Sequence, residues 1–155
     1  MGLAELKFAL ETLTDGLINE MSVLLPDHYE EVAWTDLYKK LNPDWNFYKN
    51  AQSAGILKIF TARTYDDNLI VGYWWFFVRL NPHYMDVVQA ADDILYARKD
   101  YRGKPVFEFT QWCLAQLKKM GVQVVVVHCK VAHDLEKLYS GLGFKPYEKN
   151  YIRSL

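Results

Sequence analysis

The stretch LYARKDYRGKPVF, residues 95–107, joins three local patterns that together decide the fold. It begins at the end of an apolar strand pattern, and its middle is a basic loop around Arg102, Gly103 and Lys104. Its last residues open an amphipathic helical pattern, with Pro105 close to the first helical position, where proline is favoured. A helix start exposes unpaired backbone N–H groups and a partial positive charge. The stretch is therefore either a binding site for a diphosphate or an ordinary basic turn.

Strand and helix patterns surround this loop from residue 56 onward. Runs rich in β-branched and aromatic residues predict strands over 56–65, 69–80 and 87–97. After the loop, a stripe at helical spacing predicts a helix that buries Val106, Phe109, Cys113, Leu117 and Met120. The remaining patterns predict a buried strand over 122–129, a short helix over 133–143 and a final short strand over 150–155.

The first third of the chain shows helical periodicity. Apolar residues recur every three or four positions over 13–25, where Pro26 is expected to end the helix, and a second helix is expected over 28–41. A loop follows at 42–46. The whole order predicts a mixed α+β or α/β fold with one sheet and helices on both sides. The unit around 93–128 predicts a right-handed parallel strand–helix–strand crossover.

Composition narrows the class of protein. The 155 residues, half of them hydrophobic, fit one domain over residues 1–155. A net charge of −1 and a pI of about 6.4 argue against a nucleic-acid binder. The longest apolar run, 69–78, is about half of what a membrane-spanning helix needs, and the N-terminus lacks a signal-peptide pattern. With only Cys113 and Cys129, we expect a cytoplasmic protein with reduced thiols and no membrane partner.

A second motif, LEKLYSGLGF at residues 135–144, indicates by itself only a short amphipathic helix with a glycine cap. Taken in order, the strand, the YRGK loop, the long helix, the buried strand and LYSGLGF resemble the GNAT family of acyl-CoA-dependent N-acetyltransferases. This resemblance covers roughly residues 55–155, and the N-terminal helices are compatible with it. The stretches LPDHYEEVA, NPDWNFY, HYMDVVQAADDILYARKDYRG and AHDLEKLYSGLGF are similar to small GNAT proteins of phages and prophages.

The resemblance implies a single GNAT-like domain whose central, mostly antiparallel sheet has a parallel strand–helix–strand core flanked by helices. It implies transfer of an acetyl group from acetyl-CoA to an amine by direct attack in a ternary complex, without a metal. The acceptor would be a protein lysine, a protein N-terminus or a small-molecule amine. A phage-encoded relative would work in the host cytoplasm, on a host component.

The resemblance also assigns roles to residues. It implies that the pantetheine arm of the cofactor pairs with Leu95, Tyr96 and Ala97 as an added strand. A backbone N–H near Leu95 would stabilise the thioester oxygen as it gains negative charge. Tyr139 would be the general acid for the departing thiolate. The diphosphate would lie on the loop formed by Arg102, Gly103, Lys104, Pro105, Val106 and Phe107.

The attacking amine also has to lose a proton, and three residues are candidates for the general base: Asp92, Asp93 and His83. Two adjacent acids in an apolar strand point to opposite faces, so only one of them can face the acceptor. Strict alternation places Asp93 on the face of Leu95 and Asp92 on the face of Ile94. Each acid could instead cap the loop before the strand or pair with an arginine. His83 is either an ordinary loop histidine or a group that reaches the same pocket from the loop at 81–86.

Other chemistry has less support in the sequence. The spacing of His128, Cys129 and His133 matches no tetrahedral metal site, and a cysteine that ends a valine-rich strand is typical of a small buried hydrophobe.

Two departures from the family pattern support a rival function. Pro105 removes one backbone N–H from the phosphate loop, and Phe107 is bulky where the family has glycine or alanine. The rival is a catalytically silent GNAT fold that binds a host protein. A homodimer built on the aromatic strands is a third interpretation.

Overall fold

The computed structural model describes residues 5–34 and 37–155, in which one strand and three helices precede three consecutive strands and a final helix–strand–helix unit. In chain order the elements are β1 (Leu6–Glu11), α1 (Asp15–Ser22), α2 (Leu25–Val32), α3 (Trp45–Ser53), β2 (Leu57–Thr64), β3 (Ile70–Asn81), β4 (Tyr84–Ala97), α4 (Lys104–Lys119), β5 (Val124–Val126) and α5 (Glu136–Gly141). A single 3₁₀ turn, Lys99–Tyr101, lies between β4 and α4.

The strands form one mixed sheet in the order β1-β2-β3-β4-β5. Neighbours are antiparallel from β1 to β4, and β5 lies parallel to β4. A parallel neighbour needs a long crossover connection, which α4 supplies here. The architecture is therefore mixed α+β with β4 and β5 parallel, as the pattern predicted.

The sheet separates two hydrophobic cores. On one face, α4 and α5 bury Phe109, Cys113, Leu117 and Tyr139 against alternate sheet residues that include Phe60, Trp74 and Phe76. On the other face, α1, α2 and α3 cover a second set that includes Ile59, Tyr73, Trp75 and Tyr96. Because strand side chains alternate between faces, neighbours such as Trp74 and Trp75 belong to different cores. The functional residues described below divide between these two faces.

The N-terminal third differs from the all-helical prediction because residues 6–11 form β1. This strand pairs antiparallel with the edge of β2, from Leu6 opposite Thr64 to Glu11 opposite Ile59. Arg63 of β2 also contacts Glu11 of β1 at 2.6 Å and Glu20 of α1 at 2.5 Å. These partners lie about 50 residues away, so a local periodicity could not indicate the strand.

The two predicted N-terminal helices also have different bounds. The helix expected over 13–25 ends at Ser22, and Pro26 lies in the first turn of α2, where its missing N–H leaves no helical hydrogen bond unmade. The helix expected over 28–41 ends at Val32, and its residues 35 and 36 lie outside the described part of the chain.

A helix replaces the end of the loop predicted at 42–46. The side chain of Asp44 caps α3 by accepting a hydrogen bond from the Phe47 N–H at 3.0 Å.

The final strand expected over 150–155 is not formed. Residues 144–155 have no ladder partner in the described chain and are mostly exposed, with Tyr151 90% exposed. The strand expected over 122–129 is shorter than predicted, Val124–Val126, and it is partly exposed instead of buried. None of the described helices is both long enough and apolar enough to cross a membrane.

Candidate functional site

A β-bulge in β4 places the two adjacent acids. Trp75 pairs with Ile94 and the next residue of β3, Phe76, pairs with Asp92, so Asp93 is the extra residue. Asp92 consequently lies on the α4/α5 face, where Leu95 also packs, and Asp93 lies on the α1–α3 face with Ile94. The prediction that the acids face opposite sides holds, but the predicted pairing with Leu95 and Ile94 is wrong because the bulge breaks the alternation.

The sheet opens between β4 and β5 immediately after this point. Their ladder contains only three pairs and ends at Ala91 opposite Val126. Beyond it, the N–H of His128 donates to the Asp92 carboxylate at 2.9 Å instead of to a strand carbonyl. The side chain of Asp92 therefore stands where the next ladder bond would be, and the two chains separate.

Backbone groups of β4 face this opening. The Tyr96 carbonyl lies on the β3 side, 3.2 Å from the point where a Cβ on Gly72 would stand. Because backbone groups alternate in direction along an antiparallel pair, those of Leu95 and Ala97 point to the opposite side. The Ala97 carbonyl accepts a hydrogen bond from Arg102 Nε at 2.9 Å, and β5 has no residue paired with Leu95. The geometry leaves Leu95 able to pair with an extended ligand.

The loop predicted to bind a diphosphate leads into the start of α4. Gly103 is the N-cap with φ of +89° and ψ of −128°, a conformation that favours glycine because it has no Cβ. Lys104 is the first helical residue and Pro105 the second. The Phe107 N–H donates to the Gly103 carbonyl at 3.0 Å. In the described chain the N–H groups of Gly103, Lys104 and Val106 have no backbone partner, so Pro105 removes one donor from a set that keeps three.

Phe107 packs against α5 and is partly buried. One of its ring atoms, Cε2, is 3.4 Å from the point where a Cβ on Gly141 would stand. The ring therefore fills the space between α4 and α5, and the glycine in LYSGLGF makes room for it.

Arg102 is held by α2 as well as by β4. Its Nη2 donates to both carboxylate oxygens of Glu31, at 2.8 and 2.7 Å. Glu31 is only 14% exposed in its side chain, and Lys99 Nζ and His133 Nε2 each approach it to 3.9 Å. Arg102 Nη1 has no hydrogen-bond partner in the described residues and remains able to bind an anion. Lys104 is 85% exposed in its side chain, beside Glu108 at 3.5 Å.

Tyr139 of α5 reaches the opening of the sheet. It is buried, and its hydroxyl donates to the His128 carbonyl at 3.0 Å. Burial, reinforced by the Asp92 charge, raises the pKa of Tyr139 well above its usual range. The hydroxyl therefore carries its proton at neutral pH, as a general acid must.

His128 is a site residue that the sequence interpretation missed. Its Nδ1 lies 2.7 Å from Asp92 Oδ1, and the same carboxylate accepts Trp74 Nε1 at 3.2 Å. The hydrogen bond that His128 donates to Asp92 raises the pKa of His128, although partial burial opposes it. The sequence did contain a signal, because His128 lies in the strand expected over 122–129, which the expected parallel crossover brings beside the strand with the two acids.

Asp93 has a different environment on the opposite face. Its carboxylate accepts a hydrogen bond from the Tyr48 hydroxyl of α3 at 2.8 Å and remains open to solvent. Apolar surroundings raise the pKa of Asp93, the Asp92 charge adds to this, and the Tyr48 hydrogen bond opposes it. Asp93 is thus available to a ligand that approaches from the α1–α3 side.

A buried histidine next to this face was also missed. His28 of α2 is 7% exposed, forms a hydrogen bond with the Tyr73 hydroxyl at 2.9 Å and stacks on Tyr96 with ring centroids 5.0 Å apart. Burial lowers the pKa of His28 to about 4, so the ring is neutral at pH 7. Beside it lies a cleft of about 470 Å³, lined by Asp27, Glu30, Glu31, Tyr96, Arg98, Lys99 and Asp100.

His83 does not belong to this site. It occupies the tight turn between β3 and β4, where its N–H donates to Asn81 Oδ1 at 2.9 Å. Tyr84, the first residue of β4, is eight residues from Asp92, which is roughly 26 Å along an extended strand. The prediction that His83 reaches the pocket is wrong because the segment 81–86 is a hairpin tip.

The described residues do not form a group of metal ligands. In residues 5–34 and 37–155, no three His, Cys, Asp or Glu side chains lie close enough together to hold an ion. Cys113 is buried and Cys129 is exposed, and both thiols are free. Cys129 therefore does not have the buried environment expected from the sequence.

Comparisons with known proteins give structural matches only. No protein-family model matches the sequence, and no curated protein sequence matches it. Solved structures do match over nearly the whole chain. A ribosomal-protein-alanine N-acetyltransferase from Brucella melitensis biovar Abortus 2308 superposes with a TM-score of 0.71 at 19% identity, covering 97% of this chain and 100% of that one.

Two further structures match in the same way. An aminoglycoside acetyltransferase from an uncultured soil metagenomic sample, in complex with trehalose, has a TM-score of 0.69 at 16% identity, over 97% of this chain and 94% of that one. A predicted acetyltransferase with acetyl-CoA from Clostridium acetobutylicum has a TM-score of 0.65 at 10% identity, over 97% and 96%. At these identities the likeness establishes the fold. The chain has the fold of the GNAT acetyltransferases.

Proposed function

We propose that this protein is an N-acetyltransferase that moves an acetyl group from acetyl-CoA to an amine by direct attack. One observation carries the proposal: the sheet opens after Asp92 at a place where β4, the start of α4 and Tyr139 converge. An open strand edge, a group of unpaired N–H donors and a protonated acid are the parts that thioester aminolysis needs.

The residues present fit the cofactor. Leu95 offers backbone groups to a pantetheine arm, and Gly103, Lys104 and Val106 offer N–H groups to a diphosphate. Arg102 adds a fixed positive charge with a free Nη1. Acetyl-CoA would supply an activated acetyl thioester. Because Arg102 also contacts Ala97 and Glu31, binding requires it to share or exchange these partners.

We assign the acid role to Tyr139. Its buried hydroxyl stays protonated at neutral pH and lies where the two strands separate. A proton given to the departing sulfur would make the thiol a better leaving group. A backbone N–H near Leu95 would stabilise the negative charge that develops on the thioester oxygen.

We place the acceptor on the α1–α3 face. Asp93 opens to that side, and the cleft beside Tyr96 carries more acids than bases. This arrangement favours a cationic amine, which an alkylammonium is at neutral pH. The acceptor classes are those expected from the sequence, a protein lysine, a protein N-terminus or a small amine. We propose that Asp93 contacts its ammonium group.

A thiol-release assay tests this function. Purified protein with acetyl-CoA is offered a panel of a lysine peptide, peptides with free N-termini, a polyamine and an aminoglycoside, and free CoA is measured with a thiol reagent. We expect release above the background hydrolysis rate with at least one amine, with mass spectrometry showing one added acetyl group. Background rates with every amine, in a protein that binds acetyl-CoA, would contradict catalysis.

A binding module without catalysis is the second candidate function. It is favoured by the missing N–H of Pro105 and by the contacts of Arg102 with Glu31 and Ala97, which compete with a cofactor. A phage origin and a host protein target remain predictions that accompany it. A stable complex with a host protein, formed by a chain that binds no acyl-CoA, would favour this alternative. A homodimer also remains a prediction, which size-exclusion chromatography tests.

A further inference from the structure

Asp92 and His128 form a hydrogen-bonded pair at the point where β4 and β5 separate. Asp92 is buried and accepts three hydrogen bonds: from Trp74 Nε1, from the His128 N–H and from His128 Nδ1. Two of the three come from the same residue. The carboxylate therefore fixes both the backbone and the ring of His128.

This geometry also selects the tautomer of the imidazole. An ionised carboxylate only accepts hydrogen bonds, so Nδ1, at 2.7 Å from Asp92 Oδ1, carries the proton. In the neutral ring Nε2 then holds a free lone pair. It makes no hydrogen bond to the described chain, and the side chain is 53% exposed. The nitrogen that can accept a proton is accordingly directed away from its carboxylate anchor.

The same residue touches the proposed acid. The Tyr139 hydroxyl donates to the His128 carbonyl at 3.0 Å. The proposed acid is therefore hydrogen-bonded to the backbone of the residue whose ring can accept a proton. Asp93 forms a hydrogen bond with neither His128 nor Tyr139, because its hydrogen-bond partner is Tyr48 and it lies on the other face of the sheet. A carboxylate suits the binding of an ammonium group, whereas an imidazole suits the transfer of a proton near neutral pH.

We propose that His128 is the general base of the acetyl transfer and that Asp92 is its positioning residue. This assignment rests on the proposed function. The bound ammonium first loses one proton to solvent, because only the neutral amine has a lone pair, and its nitrogen then forms a bond to the thioester carbon as the carbon–sulfur bond breaks. One amine proton passes to His128 Nε2 through a water in the opening, because the amine arrives from the opposite face, and one proton passes from Tyr139 to sulfur. Exchange with solvent then restores both residues.

The surroundings of His128 set the expected pH dependence. The hydrogen bond that His128 donates to Asp92 raises the pKa of His128, burial and the Lys130 charge lower it, and Tyr139 is uncharged at neutral pH. A general base works in its deprotonated form, so kcat should fall as the pH drops through this raised pKa. Removing the Asp92 charge should move this acid limb to lower pH.

Steady-state kinetics with the best amine found in the panel test the assignment in four variants. His128→Gln should lower kcat on the order of 100-fold and abolish the acid limb, with acetyl-CoA affinity within about threefold. Asp92→Asn should shift the acid limb downward. Asp93→Asn should mainly raise KM for the amine. His83→Gln, at the distant hairpin tip, is the matched histidine control and should match wild type.

The outcomes separate this assignment from the proposed function. An active wild type whose acid limb persists in His128→Gln overturns the assignment alone, whereas a wild type that binds no acetyl-CoA overturns both. A measurement on the free protein checks the pair without activity. The His128 ring proton, followed by NMR, should titrate at higher pH in wild type than in Asp92→Asn, and identical titrations would also overturn the proposal.

Discussion

At the residue scale, a bulge in the backbone of β4 gives the adjacent Asp92 and Asp93 different hydrogen-bond partners. One inserted residue sends Asp92 to the α4/α5 face, where three donors hold its carboxylate, and leaves Asp93 on the opposite face with Tyr48. Bulges commonly redirect side chains next to active sites. Here the bulge gives two adjacent acids different partners on opposite faces of the sheet.

Tyr139→Phe should separate catalysis from cofactor binding. The ring stays packed in the core, while the proton donor and its hydrogen bond to the His128 carbonyl are lost. We expect kcat to fall on the order of 100-fold, with acetyl-CoA affinity nearly unchanged and about 1 kcal/mol of stability lost. Stopped-flow kinetics measures turnover, titration calorimetry measures acetyl-CoA affinity and urea unfolding measures stability. Unchanged turnover would remove Tyr139 from the acid role.

His28 should make the fold sensitive to acid. Its folded pKa of about 4 lies below the ordinary value of 6.5, so the unfolded chain binds the proton more readily. The resulting stability is present above pH 6.5 and is lost as the pH falls toward 4, by up to about 3 kcal/mol.

Urea unfolding at pH 7 and pH 4.5 measures this loss. His28→Gln can still form a hydrogen bond with Tyr73 but cannot titrate, so its stability should fall less between the two pH values. A variant whose stability falls as steeply as that of the wild type would show that other groups cause the acid sensitivity.

At the element scale, Glu31 of α2 contacts Arg102 in the proposed diphosphate loop. The pair joins a helix on the side where we place the acceptor to the residue that precedes the N-cap of α4. A diphosphate bound at the loop would compete with Glu31 for the guanidinium, because both are anions that bind it through the same N–H groups.

Glu31→Gln should therefore tighten acetyl-CoA binding by about fivefold, the equivalent of roughly 1 kcal/mol for a partly exposed ion pair. The matched control is Glu30→Gln, which removes the same charge from an exposed neighbour on α2. We expect it to have a smaller effect. Weaker binding in Glu31→Gln would instead show that Glu31 holds Arg102 in place for the cofactor.

The elements also show how far sequence reasoning reaches. The strand over 87–97 and the helix after the Arg102 loop were predicted because each depends on a local pattern, whereas the roles expected for that loop and for Tyr139 came from the family resemblance. The strand β1 was not predicted because it is defined by its pairing with β2. The bulge was not predicted because it is defined by the register of β4 against β3. The Asp92–His128 pair joins residues 36 positions apart, so only the assembled sheet shows it.

At the scale of the whole molecule, the sheet separates two sets of functional groups. The α4/α5 side carries Tyr139 and the Asp92–His128 pair, and the proposed diphosphate loop leads into α4. The α1–α3 side carries Asp93 and the acidic cleft. The opening between β4 and β5 connects them. An acetyl group held in this opening would meet an amine from one side and proton-transfer groups from the other.

The central claim is that acetyl-CoA binds at this opening, and isothermal titration calorimetry of the full chain tests it most directly. We predict a 1:1 complex with wild-type protein and binding at least tenfold weaker in Arg102→Ala, which removes the fixed charge of the loop. The His83→Gln control should bind as wild type. No heat of binding from wild-type protein at millimolar acetyl-CoA would contradict the claim.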